Sequence, residues 1–210
     1  MTRSTLARRA RGHLRRVDPV MAKVIDSVGP YRPADGTRGS HFGALVRSIV
    51  FQQLSGKAAG TIHRRFCALF PNDEPTPEGV LAASDEQLRA AGLSRQKIGY
   101  LRDLAEKVHS GALPLDHVET LPDDELIAHL VQVKGIGRWT AQMFLMFKLG
   151  RENVLPELDL GIQNAIKRAY RKRAVKPKDV LRIGRCWTPY ASIACWYLWR
   201  SLDNGGGQLD

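Results

Sequence analysis

The sequence predicts an all-α protein. Three observations carry that expectation. Apolar residues recur at three- and four-residue spacing along nearly every segment, residues that start and stop helices punctuate those segments, and no stretch shows a convincing two-residue strand alternation. No internal repeat is present. With 210 residues, 43% hydrophobic and 25% charged, the chain has a globular composition. It is long enough for one large domain or two lobes sharing a core.

The elements follow in order. Met1 to Val17 is Arg-rich and free of acids, which superficially fits an organelle transit peptide. Leu6, Ala10 and Leu14 at four-residue spacing favour an ordinary basic first helix. Asp18-Pro19 reads as a helix cap followed by proline at the first helical position, with Val20, Val24, Ile25 and Val28 on one face and Gly29-Pro30 as the stop. Tyr31 to Gly39 is a Pro/Gly-rich loop. Ser40 caps a helix whose stripe Phe42, Leu45, Val46, Ile49 and Val50 fits the helical template throughout.

That stripe calls for an apolar residue at position 53, where the chain has Gln52-Gln53-Leu54-Ser55-Gly56-Lys57. Two amides there fit either a solvated helix end or a loop tip that meets a partner. A helix from about Lys57 to Leu69 turns Ile62, Phe66 and Phe70 inward, and Asn72 to Glu78 is the most linker-like segment. Ser84-Asp85-Glu86-Gln87 is a capping box, and Gly92 closes the helix it starts. A longer helix carries Ile98, Leu101, Leu104, Ala105 and Val108. The next opens at Pro122 with Asp123, Asp124 and Glu125 in its first turn, where the helix dipole favours them, and buries Leu126, Ile127, Leu130 and Val131.

That helix runs into Val131-Gln132-Val133-Lys134-Gly135-Ile136-Gly137-Arg138-Trp139-Thr140-Ala141, the most informative stretch of the chain. Gly-x-Gly between two helices fits a steric corner. It also fits a turn whose N–H groups approach an anion with no Cβ in the way. Lys and Arg outnumber Asp and Glu by 32 to 21, a net charge of +11, so the anion to expect is a nucleic-acid phosphate. Beyond the turn, Trp139, Met143, Met146 and Phe147 are expected to form the apolar face of a helix ending at Gly150. Asp159 stands at the N-cap of a helix bearing Ile162, Ile166 and Tyr170. Arg168, Arg171, Lys172, Arg173, Lys176 and Lys178 form the densest basic run. Thr188-Pro189 is expected to start the last helix, with Tyr190, Ile193, Trp196, Tyr197 and Trp199, and a glycine-rich tail of residues 204–210 is expected to be flexible.

Cys67, Cys186 and Cys195 are too few and too scattered for a disulfide framework, a zinc site or an iron–sulfur cluster. No apolar run reaches membrane-spanning length. A cytoplasmic protein in a reducing compartment, without a membrane partner, is the simplest expectation.

Lys134 to Ala141, followed about twenty residues later by Leu158-Asp159-Leu160-Gly161, resembles the helix–hairpin–helix (HhH-GPD) DNA glycosylase superfamily. Gln52-Gln53-Leu54-Ser55 after an apolar helix, and Trp187 to Trp196 near the end, are similar to its 3-methyladenine DNA glycosylase II branch. The chain reads as a compact form without the N-terminal β-sheet lobe of larger bacterial members.

The resemblance implies a two-lobed helical fold with the active-site cleft between lobes. One lobe spans residues 40–150 with the hairpin 131–141; the other combines residues 1–39 with 151–203. It implies a monomer at the bacterial nucleoid that acts on double-stranded DNA containing alkylated bases. Such an enzyme releases 3-methyladenine, 7-methylguanine and similar bases by hydrolysis of the N-glycosidic bond in base excision repair. Asp159 is then the catalytic carboxylate that faces the positive charge developing on the deoxyribose. Trp196, Trp139, Phe42 and Met143 are the expected walls of the base pocket. Gln52, Gln53, Leu54, Ser55, Lys57, Lys134, Gly135, Gly137 and Thr140 are the expected DNA-contacting residues.

Strand-cutting relatives carry a lysine where this chain has Trp139, and Lys134 lies on the wrong side of the turn to replace it. The resemblance therefore implies a monofunctional enzyme that leaves an abasic site and needs no catalytic cofactor. A structural Na+ or K+ on the main-chain carbonyls of Val131, Val133 and Ile136 is implied at the hairpin. Two alternatives remain: a non-catalytic DNA-binding module, and a glycosylase for oxidised or mismatched bases.

Overall fold

The computed structural model describes residues 3–32 and 39–203, and every regular element among them is helical. Part of the Tyr31–Gly39 loop and the glycine-rich tail lie outside the described residues. The chain forms two compact units, one from residues 36–149 and one from residues 1–35 and 150–210.

The 36–149 unit is built on α3 (His41–Phe51). Ser40 caps it by accepting from the Gly43 amide at 3.0 Å, and its full apolar stripe is buried as the spacing predicts. Each of these side chains contributes about 1.5–3 kcal/mol on removal from water. α4 (Gly56–Cys67) packs on α3, and Phe66 meets Phe70 edge-on at 5.0 Å. The segment expected to be linker, Asn72 to Glu78, runs into α5 (Pro77–Ala82), which Thr76 caps through the Gly79 amide and which packs on α7 (Arg95–His109). The signal was present in the sequence, a capping threonine followed by proline at the first helical position. α6 (Asp85–Ala90) has the Ser84–Gln87 capping box, and α8 (Asp123–Leu130) leads into the hairpin with Leu126, Ile127 and Leu130 buried, whereas Val131, expected on that face, is exposed where the helix has ended.

α9 (Arg138–Met143) runs into a π-helical stretch, Phe144–Lys148. The apolar face of this segment is only partly covered. Trp139 is 43% and Phe147 is 49% exposed, and Met143 is half-buried, whereas Ala141, Phe144, Leu145 and Lys148 face inward with Met146. The Lys148 ammonium enters the interior because it donates to the Gly39 carbonyl.

In the other unit, α1 (Arg3–Val17) buries Ala10 and Leu14 and packs on α2 (Pro19–Val28). Asp18 caps α2 through the Val20 and Met21 amides at 2.9 and 3.0 Å. Its other oxygen accepts from the Trp187 indole at 2.8 Å and from the Tyr170 hydroxyl. One buried carboxylate thus ties the end of α1 to the ends of two later segments. α10 (Leu160–Ala169) packs on α12 (Ala191–Asp203) and on α11 (Pro177–Gly184), a short helix that starts at the end of the basic run and that the sequence does not predict. The last helix begins at Ala191 rather than at Thr188-Pro189, after a tight turn of Arg185–Trp187.

Candidate functional site

In the 36–149 unit the turn between α8 and α9 uses its two glycines differently. Gly135 adopts φ 83°, and a Cβ there would lie 2.2 Å from Tyr100 Cδ2. Backbone conformation and the underlying ring both demand glycine. Gly137 has φ −91° and ψ 172°, open to any residue, and a Cβ would meet nothing within 4 Å. The packing of the protein itself gives no reason for glycine at 137, which leaves that position open to a close-approaching group.

The turn is propped from beneath by α7. Tyr100 lies under Gly135, and Asp103 accepts from the Lys134 amide at 2.9 Å and from Lys107 Nζ at 2.9 Å. Burial opposes ionisation of Asp103, but the bonds from Lys107 and the Lys134 amide outweigh it and hold its carboxyl below the usual range. On the same helix face, Lys97 Nζ donates to the Val50 and Gln52 carbonyls that end α3, at 2.5 and 2.9 Å. Gln52 in turn donates its side-chain amide to the Gly135 carbonyl at 2.7 Å. Lys97, Tyr100 and Asp103, spaced three apart, fix the Gln52–Lys57 loop and the hairpin to one support.

This arrangement revises several expected roles. Gln52 is spent holding the hairpin, whereas Gln53 is exposed at the tip in the left-handed conformation, φ 56°. Leu54 and Lys57 are exposed beside it, and Ser55 precedes α4 without using its hydroxyl as a cap. Lys134 is exposed and only loosely paired with Asp103, at 3.5 Å. Thr140, expected among the DNA-contacting residues, is 7% exposed, because its position in α9 falls on the buried face with Ala141.

Phe42, expected in the base pocket, is a core residue at 4% exposure. It borders a recess of about 390 Å³ with His41, Pro77, Val108 and Leu115, apart from the hairpin and the loop tip. Trp139 and Met143, by contrast, lie on the outward apolar stripe that begins at the turn.

In the unit of residues 1–35 and 150–210, Asp159 is the N-cap of α10. Its Oδ1 accepts from the Ile162 amide at 2.7 Å and from the Trp199 indole at 2.9 Å. The carboxylate is buried at 8% exposure, while its neighbours Leu158 and Leu160 are exposed, the latter at 73%. Gly161 keeps the arrangement possible, since a Cβ there would stand 3.0 Å from Asp159 Oδ1 and 3.1 Å from the indole nitrogen. Cys195 is fully enclosed nearby; burial, and then the Asp159 charge, push its thiol well up, so it is not a thiolate nucleophile.

The aromatic partner of Asp159 is therefore Trp199, for which the sequence predicts only a place in the last helix. Trp196, expected to form the pocket, stacks edge-on with Tyr31 at 4.9 Å and Tyr197 at 5.0 Å, with Arg200 over its ring. A buried indole N–H needs an acceptor, but nothing in sequence spacing says which tryptophan finds Asp159.

Among the described residues no group of His, Cys, Asp and Glu side chains has the arrangement of a metal site, and no helix is long and apolar enough to cross a membrane.

Comparison with known proteins gives a consistent family. The profile of the HhH-GPD superfamily base excision DNA repair proteins matches residues 46–189. The chain is 37% identical to DNA-3-methyladenine glycosylase 1 of Schizosaccharomyces pombe, over 90% of this chain and 85% of that one. In structure it is similar to the Schizosaccharomyces pombe 3-methyladenine DNA glycosylase in complex with abasic DNA, with a TM-score of 0.83 over 91% of this chain and 95% of that one. It is likewise similar to a DNA-3-methyladenine glycosidase from Bacillus halodurans, with a TM-score of 0.82, 39% identity, and coverage of 90% and 87%. The chain belongs to the HhH-GPD superfamily of base excision DNA repair proteins.

Proposed function

We propose that this protein is a monofunctional DNA glycosylase that removes alkylated bases, 3-methyladenine and 7-methylguanine among them, and leaves an abasic site. The observation that carries this reading is Asp159, a carboxylate buried in a surface segment and fixed by two N–H donors. As the C1′–N bond breaks, its electrons leave with the base and positive charge develops on the deoxyribose. Asp159 stabilises that charge and orients the water whose oxygen bonds to C1′, with the water's proton passing to solvent. A cationic alkylated purine departs as a neutral base, so the bond breaks without a general acid.

The remaining roles follow from exposure. The open hairpin at Gly137 admits a phosphate, and Gln53 at its loop tip fills the gap left by an extruded base, which costs a few kcal/mol to unstack. The exposed ring of Trp139 offers a π-face to a cationic base, worth roughly 0.5–2 kcal/mol. A monovalent cation fits the hairpin carbonyls. Val133 O gives one lone pair to the Ile136 amide at 3.0 Å, and the carbonyls of Val131 and Ile136 accept no hydrogen bond among the described residues. When bound there, the ion supplies positive charge for a phosphate.

Methylated duplex DNA incubated with the protein and borohydride tests the chemistry. Free methylated base, an intact abasic strand and no protein–DNA adduct are expected, because Trp139 provides no amine. A trapped adduct, or no base release from any methylated duplex, contradicts the reading.

A further inference from the structure

The net charge is divided very unequally. Residues 1–35 and 150–210 carry nineteen Lys and Arg against nine Asp and Glu, whereas residues 36–149, with the hairpin and the loop tip, carry thirteen against twelve. Nearly the whole excess of +11 belongs to the unit that does not contain the hairpin.

Within that unit six of the nine acids are paired or buried. Asp26, Asp179 and Asp203 pair with Arg15, Arg182 and Arg200, and Asp18, Glu157 and Asp159 are buried. Arg16, Arg168, Arg171, Arg173 and Arg185 are exposed and have no ion pair among the described residues. The Asp18 bonds to Tyr170 and Trp187 gather most of them at one place. Arg16 precedes Asp18 by two residues, Arg168 and Arg171 flank Tyr170, and Arg185 precedes Trp187 by two.

Arg171 adds an independent sign. It follows α10 in the left-handed conformation, φ 51°, where its amide and that of Lys172 close the helix end on the Arg168 and Lys167 carbonyls. Glycine takes that position without steric cost, and an arginine there is strained.

We propose that this arginine surface, centred on Asp18, is a second DNA-contacting face. It binds the phosphate backbone of duplex DNA irrespective of sequence or damage, and it supplies most of the salt-sensitive affinity. Partner choice rests on the repair function proposed above. The test reads binding to undamaged duplex without any base release, so failure of either leaves the other separately judged.

Binding of a fluorescent undamaged duplex is measured across a salt series for the wild type and for a variant with Arg16, Arg168, Arg171 and Arg185 changed to Gln. Each lost phosphate contact lowers the slope of log affinity against log salt by about 0.9, so a fall of about 3–4 is expected. A matched variant with Arg64, Arg65, Arg89 and Arg95 changed to Gln removes as much charge from the 36–149 unit and should lower the slope much less. Arg171→Gly relieves the strained backbone, so it should melt no lower than wild type yet lose about one unit of slope. A wild-type slope in the folded four-residue variant, or equal losses in the two matched variants, overturns the proposal. So does unchanged duplex binding together with lost binding to phosphatidylserine vesicles, which would assign the surface to a membrane.

Discussion

The hairpin of the 36–149 unit and the Asp159 segment of the other unit are held in place by different means. Asp159 is positioned chiefly by its own helix start, three residues from the Ile162 amide it accepts, with one indole from α12 added. The hairpin and the Gln52–Lys57 loop depend on side chains of α7, through bonds between residues 31 to 47 positions apart, and on the Gln52 amide, which reaches Gly135 across 83 positions. A carboxylate that must face a developing charge is fixed locally. Two loops that must share one register on a strand are fixed by a common support.

The largest expected effect separates the two hairpin glycines. Gly135→Ala drives a Cβ into Tyr100 in a left-handed backbone, and should cost about 3 kcal/mol or more in thermal or urea unfolding. Gly137→Ala should change stability by no more than about 0.5 kcal/mol, since the position is open and its backbone ordinary, while weakening duplex binding. Equal destabilisation by the two changes would show that both glycines serve packing.

Next in size is Trp199→Phe, which removes the indole donor from Asp159. A loss of about 1.5–3 kcal/mol in stability is expected for a hydrogen bond to a charged group, together with slower base release. Trp196→Phe should leave base release near wild type. The reverse order would contradict the assignment of Trp199.

The smallest effect concerns pH. The Asp103 carboxyl is held below its ordinary value, so its contribution to the hairpin is complete above about pH 4 and is lost as pH falls through the lower folded-state value. Asp103→Asn should remove that part of the acid dependence, measured as the difference between wild-type and variant unfolding midpoints from pH 2 to 7. Parallel curves would mean that Asp103 does not anchor the turn.

These differences also explain what the sequence made legible. The cap at Asp18, the box at Ser84, the stripe of α3 and the position of Asp159 all rest on spacings within a turn or two of helix, and each is found where the sequence places it. The exposure of Trp139 and Phe147 is not legible, because periodicity shows that an apolar face exists without saying which part of it is covered. The burial of Thr140 and the engagement of Gln52 with Gly135 are not set by local spacing, and the partner of Gln52 lies 83 residues along the chain. The props Lys97, Tyr100 and Asp103 look like an ordinary polar helix face until the turns they support are in place.

The central claim is that Asp159 carries out base excision, and Asp159→Asn tests it most directly. The amide keeps the size of the side chain and an oxygen to accept from Ile162 and Trp199, but loses the negative charge. With enzyme in excess over a duplex bearing one 7-methylguanine, base release should slow by at least about 100-fold while lesion-duplex binding is retained. A folded Asp159→Asn protein that releases the base at close to the wild-type rate would contradict the account.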